Sequence, residues 1–359
     1  MNQIPQLRQA WTITRIELKR AFFSKRVFWV YALAIFPSLI FMGYHTQVKL
    51  RAMRLSYDCG ITPAQLDGVN VGETDETIIE RLGKTTSDFR WTNTRTAAEI
   101  TVYRRLTYFD GSREARLDFE NGKLVSKTVS LLKDFEEDRR IFAGVFQFFY
   151  LRLAIFFGCV GIFMNLFRGE ILDRTLHYWF LAPARREVLL AGKYGAGLIA
   201  SIVIFTCGAL LCFGVMAWPN NSIEVQVFWQ NAGKGQVFGY AIATAFGCLG
   251  YGSVFLAAGL LLRNPVIPAA MLLAWESVNG FLPGFMQKAS ILYYLQSLSP
   301  VPASININQD APALIRLLIT PAAPASRSMA ILGILIITAA VLWLARFAVS
   351  RMQISYSSE

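Results

Sequence analysis

Long apolar runs alternate with short polar ones along this chain. Six of them, 27–44, 143–167, 188–217, 236–262, 265–283 and 329–349, approach or exceed the length a helix needs to cross a bilayer. A hydrocarbon core about 30 Å thick takes about 20 helical residues. None of the runs alternates with the period of two that marks a lipid-facing barrel strand, and backbone in hydrocarbon must satisfy its own hydrogen bonds. The pattern predicts an all-α polytopic membrane protein with six transmembrane helices. The first run follows 26 polar residues and leads into "MGYHTQ" without a small-residue cleavage site, so it is expected to be a retained span.

The polar stretches between the runs have patterns of their own. In residues 1–26, Leu7, Trp11, Thr14, Leu18 and Phe22 follow one another at steps of four, three, four and four, while Arg8, Arg15, Lys19 and Arg26 lie off that stripe. This predicts an amphipathic helix in the membrane interface, apolar side down, with its bases toward anionic lipid. Residues 45–142 are long enough for a small α+β domain outside the membrane. There "ITVYRRLTYF", "REARLDF" and "KLVSK" are separated by Asp110–Gly111 and Asn121–Gly122, the signature of a β-meander. From Ser126 the chain reads as helix running into the second span, and the first half of the domain reads as loop and short helix. Residues 218–235 read as a short loop. Residues 284–328 hold two apolar pieces interrupted by proline, which suit broken or re-entrant helices on the outer face.

Composition sharpens this picture. Charged residues make up 16% of the chain and hydrophobic ones 54%, well away from the roughly 25% charge of soluble domains. The net charge of +11 does not fall on the outward domain, where 45–142 holds 16 basic and 16 acidic residues. It divides into +5 in residues 1–28 and +6 in the remainder, largely near span ends. Short inward loops are basic, so both termini are expected in the cytoplasm of a plasma (inner) membrane. With no soluble basic domain, nucleic acid is not an expected partner. Four of the five cysteines fall inside spans and Cys59 is alone in the outward domain, so no intrachain disulfide framework is expected there. Only His45 and His177 are present, which leaves little for a histidine-based metal site or catalytic triad.

The most particular short segment is residues 168–187. Leu172, Thr175–Leu176 and Trp179–Phe180 recur at helical spacing, Asp173, Arg174 and His177 occupy other faces, and Pro183, Arg185 and Arg186 precede the third span. Spacing alone is equally consistent with a helix that merely lies on lipid. The residues, however, resemble the membrane permease of ATP-binding-cassette (ABC) exporters of the type-2 class. In that family an acidic residue just after span two is followed by a threonine–leucine pair, a leucine, a proline, basic residues and a glycine–lysine pair at the start of span three. The matching positions are Glu170, Thr175–Leu176, Leu181, Pro183, Arg185–Arg186 and Gly192–Lys193. The N-terminal amphipathic helix is similar to the family's connecting helix, and the large outward domain marks a subset of the family.

The resemblance implies a coupling helix at 168–187, seated in a groove of a separate ATPase subunit. Trp179 and Phe180, with Leu172, would be its anchors, as aromatic residues often are in interface cores. Arg174, Arg185 and Arg186 would supply rim charges or meet acidic groups of the partner, and Glu170 would favour the helix start or pair with a base of the connecting helix. The chain itself lacks a phosphate loop: "GKT" at Gly83–Thr85 has Ile78 where the leading glycine belongs. The family arrangement therefore implies two ABC ATPase copies carrying ATP and magnesium, a second permease copy or homologue, no cofactor in this chain and no enzymatic activity of its own. An extracytoplasmic partner for 45–142 is compatible with it.

Two charges fall inside apolar runs, Arg152 in the second and Glu276 in the fifth, each about 16 Å from its own face at 1.5 Å per residue. Charges there face a polar interior or a partner. A mutual ion pair, a site on the transport pathway and a snorkelling Arg152 are the alternatives. Two other classes of function remain open on the residues alone: an ion-coupled secondary transporter, for which the chain lacks an internal repeat, and a membrane-anchored assembly or sensor protein with an outward binding domain.

Overall fold

The computed structural model describes residues 3–24, 27–58, 61–96, 99–111, 113–131, 133–172, 185–220, 222–262, 266–279, 284–301 and 324–351. Most of these are helical. The chain divides into two compact units: one comprises 1–39, 139–216 and 225–359, the other 40–138 and 217–224.

The first unit is a helical bundle. It contains α1 (Gln3–Phe23), the first part of α2 (Phe28–Asp58), and, from residue 139 on, a helix that begins as α5 (Phe135–Val145). That helix widens into a π-helical stretch, Phe146–Ala154, and continues as α6 (Ile155–Leu172). Then come α7 (Arg186–Ala217), α8 (Ser222–Phe228), a second π stretch at Trp229–Gly233, and α9 (Lys234–Leu261). Among the described residues four helices follow: α10 (Val266–Val278), α11 (Gly284–Gln287), α12 (Ile291–Leu298) and α13 (Arg327–Arg351). Among the described residues five helices are long and apolar enough to cross a membrane: Phe28–Arg54, Phe135–Met164, Arg186–Ala217, Ile223–Leu261 and Arg327–Ser350. The chain has the build of a multi-pass membrane protein.

Small residues set how closely these helices approach. A Cβ on Gly252 of α9 would lie 2.5 Å from the Phe163 ring of α6, and one on Gly208 of α7 would lie 2.7 Å from the Ala34 carbonyl oxygen of α2. Backbones this close gain dispersion contacts that larger side chains would prevent. Around them Phe156 packs edge to face on both Tyr251 and Phe255, and Phe142 packs edge to face on both Phe213 and Tyr240.

The second unit holds a four-stranded antiparallel sheet in the order β1-β2-β3-β4: Ser87–Thr96, Glu99–Phe109, Arg113–Glu120 and Lys123–Leu131. One face packs Leu106, Tyr108, Leu117, Phe119 and Leu124 against α3 (Pro63–Asp67) and α4 (Asp75–Leu82), which contribute Leu66, Ile78 and Leu82. Alternation with period two buries these strand residues on one side. At the β3–β4 turn both Asn121 and Gly122 have positive φ, 50° and 80°; at the preceding turn Gly111 has φ 99° and Asp110 does not share it.

Several expectations change. The first apolar helix continues to Asp58 rather than ending at 44, because "TQVKLRAMRLSYD" contains good helix formers and no breaker. Ser126–Leu131 is strand, not helix: its pairing with β3 outweighs local propensity, and helix resumes only at Phe135, where Asp134 Oδ1 accepts from Glu136 N–H at 2.9 Å. β1, not foreseen at all, pairs along most of its length with β2. Residues 222–233 are helical rather than loop. The fifth expected span, 265–283, is described only as the 13-residue α10 and its immediate end. Thirteen residues rise about 20 Å, short of a hydrocarbon core.

Candidate functional site

The ends of α6 and α7 flank the segment singled out in the sequence. Residues 173–184, with Arg174, Thr175, Leu176, Trp179, Phe180 and Pro183, lie outside the described residues, as do the side chains of Glu170 and Leu172. The docking roles expected of them, and the pairing suggested for Glu170, are therefore carried by sequence alone.

Arg185 immediately precedes α7, and its carbonyl accepts from Val188 N–H at 2.9 Å and Leu189 N–H at 3.1 Å. The next residue turns to another helix. Arg186 Nη1 donates to the carbonyls of Val349 and Ser350 at 3.3 and 3.2 Å, at the end of α13. A helix C-terminus exposes carbonyls and partial negative charge, so a guanidinium fits there. Glu187 Oε1 accepts from Arg346 Nε at 2.9 Å. Arg186, expected to face a partner protein, is thus engaged within the chain, binding α7 to α13.

Two turns further on, Gly192 and Lys193 meet α1. A Cβ on Gly192 would lie 2.8 Å from Ile13 Cβ and 3.0 Å from the Ala10 carbonyl. Only glycine permits that approach. Thr14 Oγ1 donates across the same contact to the Gly192 carbonyl at 3.0 Å. Beside it Lys193, fully buried, places Nζ 2.9 Å from Glu17 Oε1 and 3.1 Å from the Leu166 carbonyl of α6. The ammonium also lies 5.4 Å from the centre of the Phe167 ring. Glu17 is itself 2% exposed, with Arg20 Nη1 at 3.7 Å. One lysine therefore joins three elements, α1, α6 and α7.

This changes the reading of the N-terminal helix. Ile13, Thr14, Glu17 and Ala21 form its buried face, while Leu7 and Trp11 of the expected apolar stripe are exposed. At 100° per residue the buried face lies beside that stripe, and Arg8, Arg15 and Lys19 lie on its far side. α1 is bound to the bundle as well as amphipathic. Sequence reasoning missed Glu17, although it is the only acid among the first 28 residues and sits four residues from both Ile13 and Ala21.

The two intramembrane charges act on one another electrostatically without being in contact. Glu276 on α10 is buried and accepts from the Ser290 hydroxyl in a short hydrogen bond and from Ile291 N–H at 3.2 Å. Ser290 is the N-cap of α12, accepting from Tyr293 N–H. The carboxylate thus faces the positive end of a helix. Arg152 lies in the π stretch of the second span helix. Among the described residues no ion pair joins it to Glu276. In the same stretch Tyr150 bridges two further helices through its hydroxyl, within 2.8 Å of the Ala34 carbonyl and 3.0 Å of the Gly208 carbonyl. Among the described residues no group of three or more His, Cys, Asp or Glu side chains is placed to hold a metal ion.

No protein-family model, curated protein or solved structure matches the chain. The likeness to type-2 exporter permeases accordingly rests on the residues between Glu170 and Lys193 and on the N-terminal helix.

Proposed function

We propose that this chain is the permease subunit of an ABC exporter of the type-2 class, carrying a substrate outward while a separate subunit hydrolyses ATP. Its place in this reading is the plasma (inner) membrane, with both termini cytoplasmic and α10 with its flanks as the core of a sixth crossing. Residues 168–187 are the coupling helix; Trp179 and Phe180 seat in the ATPase, and Arg174 and Arg185 lie at the rim of that contact. ATP and magnesium are held by two copies of the partner, and a second permease completes the pathway.

The observation that carries this reading is the Lys193 junction. A subunit that closes on nucleotide moves a membrane span only if the element it pushes is stiffly joined to that span. The start of α7 is held by a buried ion pair, a glycine contact and a main-chain acceptor on α6. A helix merely lying on lipid has no use for such a frame. Removing one partner of a buried ion pair costs about 3–5 kcal/mol, so the frame does not loosen on its own.

Isolation of the full chain from its native membrane in mild detergent, beside a Trp179→Asp, Phe180→Asp variant, tests the reading. An ATP-hydrolysing subunit is expected with the native chain and not with the folded variant. A folded native chain that brings no such subunit under several gentle conditions overturns the proposal, and leaves a secondary transporter or a membrane-anchored sensor as the better account.

A further inference from the structure

Stability alone does not call for a lysine and a glutamate between α1 and α7. Ile13, Ala21 and Gly192 already provide a close apolar contact. Replacing a buried ion pair by well-packed apolar residues is often neutral or stabilising. What the pair supplies is direction. Lys193 Nζ has acceptors on two elements other than its own, the Glu17 carboxylate 2.9 Å away and the Leu166 carbonyl 3.1 Å away. An apolar contact tolerates sliding along a helix, whereas two hydrogen bonds from one ammonium fix both the axial position and the rotation of α1 against α6 and α7.

We propose that Glu17 and Lys193 are a positioning pair that makes α1 a working part of the permease rather than a passive lipid-side helix. The pair registers α1 on the adjoining ends of α6 and α7, so a displacement of those ends carries α1 with it. Since α1 ends at Phe23 and α2 begins at Phe28, the first span is next in line to receive that movement. Thr14 supports the same register through its bond to the Gly192 carbonyl. Glu17 and Lys193 touch no substrate in this scheme; they act through the helices they hold. The inference rests on the permease reading for the origin of the displacement, but not for the registration itself.

The register is measurable in the full chain without any partner. A Cβ on Gly195 would lie 3.3 Å from Thr14 Oγ1, the place a cysteine sulfur takes, so Thr14→Cys with Gly195→Cys brings two thiols within reach of a disulfide. The probe is the oxidation rate of that pair in the detergent-purified protein, with the linked peptides identified by mass spectrometry. Glu17→Gln is expected to slow the linkage by about tenfold, the effect of an uncompensated buried ammonium that no longer holds α1. The charge swap Glu17→Lys with Lys193→Glu is expected to restore most of the rate, and the apolar pair Glu17→Leu with Lys193→Met is not. An unchanged rate in Glu17→Gln, or a native rate in the apolar pair, overturns the proposal, because packing alone then sets the register. Should Glu17→Gln fail to fold, the swap and the apolar pair decide between the same two outcomes. An expected linkage pattern in a chain that never brings an ATPase leaves the registration standing and removes only the proposed source of movement.

Discussion

The hydroxyl of Tyr150 lies 2.8 Å from the main-chain carbonyl of Ala34, deep in the bundle and 116 residues away along the chain. The same hydroxyl is 3.0 Å from the Gly208 carbonyl, and Gly208 itself rests on Ala34. Three helices thus meet at one oxygen and one missing side chain. The two features differ in what they can tolerate. Tyr150→Phe removes a hydrogen bond to carbonyls that keep their intrahelical partners, and is expected to cost about 1 kcal/mol. Gly208→Ala puts a methyl 2.7 Å from a backbone oxygen that cannot rotate away, and is expected to cost about 1–3 kcal/mol as overpacking. Thermal unfolding in one detergent ranks the two variants; a Tyr150→Phe loss larger than that of Gly208→Ala contradicts this assignment.

The sheet domain carries an acid-sensitive clamp. Arg104 spans Asp88, at 3.0 Å through Nε and 2.7 Å through Nη2, and Asp75 at 2.6 Å through Nη1. The hydrogen bonds from Arg104, reinforced by its charge and that of Arg90, hold the Asp88 carboxyl below its ordinary value despite partial burial. A depressed native pKa stabilises the fold fully above the unfolded value of about 3.9 and loses that contribution as pH falls through the native value. Asp88→Asn is therefore expected to cost about 0.5–1 kcal/mol at neutral pH and to flatten the decline in sheet stability below about pH 4. Unfolding followed by tryptophan fluorescence at a series of pH values checks this. Parallel native and variant curves would show that Asp88 is not the group responsible.

Glu276 is expected to couple to Ser290 rather than to Arg152. Glu276→Leu leaves the Ser290 hydroxyl and the Ile291 N–H without their acceptor in an apolar interior, and is expected to cost about 1.5–3 kcal/mol. Combined with Ser290→Ala, the loss is expected to fall short of the sum by at least about 0.5 kcal/mol, because both changes break one hydrogen bond. Combined with Arg152→Leu, the losses are expected to come closer to additive. Thermal shifts of the singles and doubles settle the ranking, and a larger coupling to Arg152 would restore the ion pair suggested by the sequence.

These residues also mark how far the sequence could be read. The long apolar helices were legible because hydrocarbon demands an apolar run of a set length, and the last two hairpins because Gly111 and Asn121–Gly122 supply the backbone angles a tight turn needs. β1 was not legible. "SDFRWTNTRT" is polar and its strand form depends on the partner "EITVYRRLTYF", a tertiary fact. The same dependence made Ser126–Leu131 strand where local propensity suggested helix. At the candidate site, Gly192 and Lys193 were marked by their motif, but nothing local announces that a lysine reaches Glu17, 176 residues earlier. Arg152 and Glu276 were visible as charges in apolar runs; the Ser290 and Ile291 partners of Glu276 were not, since depth in a membrane constrains only one coordinate.

Two ion pairs near the start of α7 look alike in distance and are expected to differ in weight. Arg346 Nε–Glu187 Oε1 and Lys193 Nζ–Glu17 Oε1 are both 2.9 Å. The first pair has side chains 57% and 46% exposed, the second 0% and 3%. Water and salt screen the exposed pair, whose net worth is of the order of 0–1 kcal/mol. Arg346→Ala is expected to shift the unfolding temperature little, and that small shift is expected to vanish in high salt. Lys193→Met leaves Glu17 as a buried charge with only the exposed Arg20 beside it, and is expected to destabilise by about 3–5 kcal/mol at any salt concentration. The measurement is thermal unfolding of both variants at low and high sodium chloride. Equal losses, or a Lys193→Met loss that salt abolishes, would mean that the α1 junction is open to water and cannot serve as the rigid seat of the coupling segment.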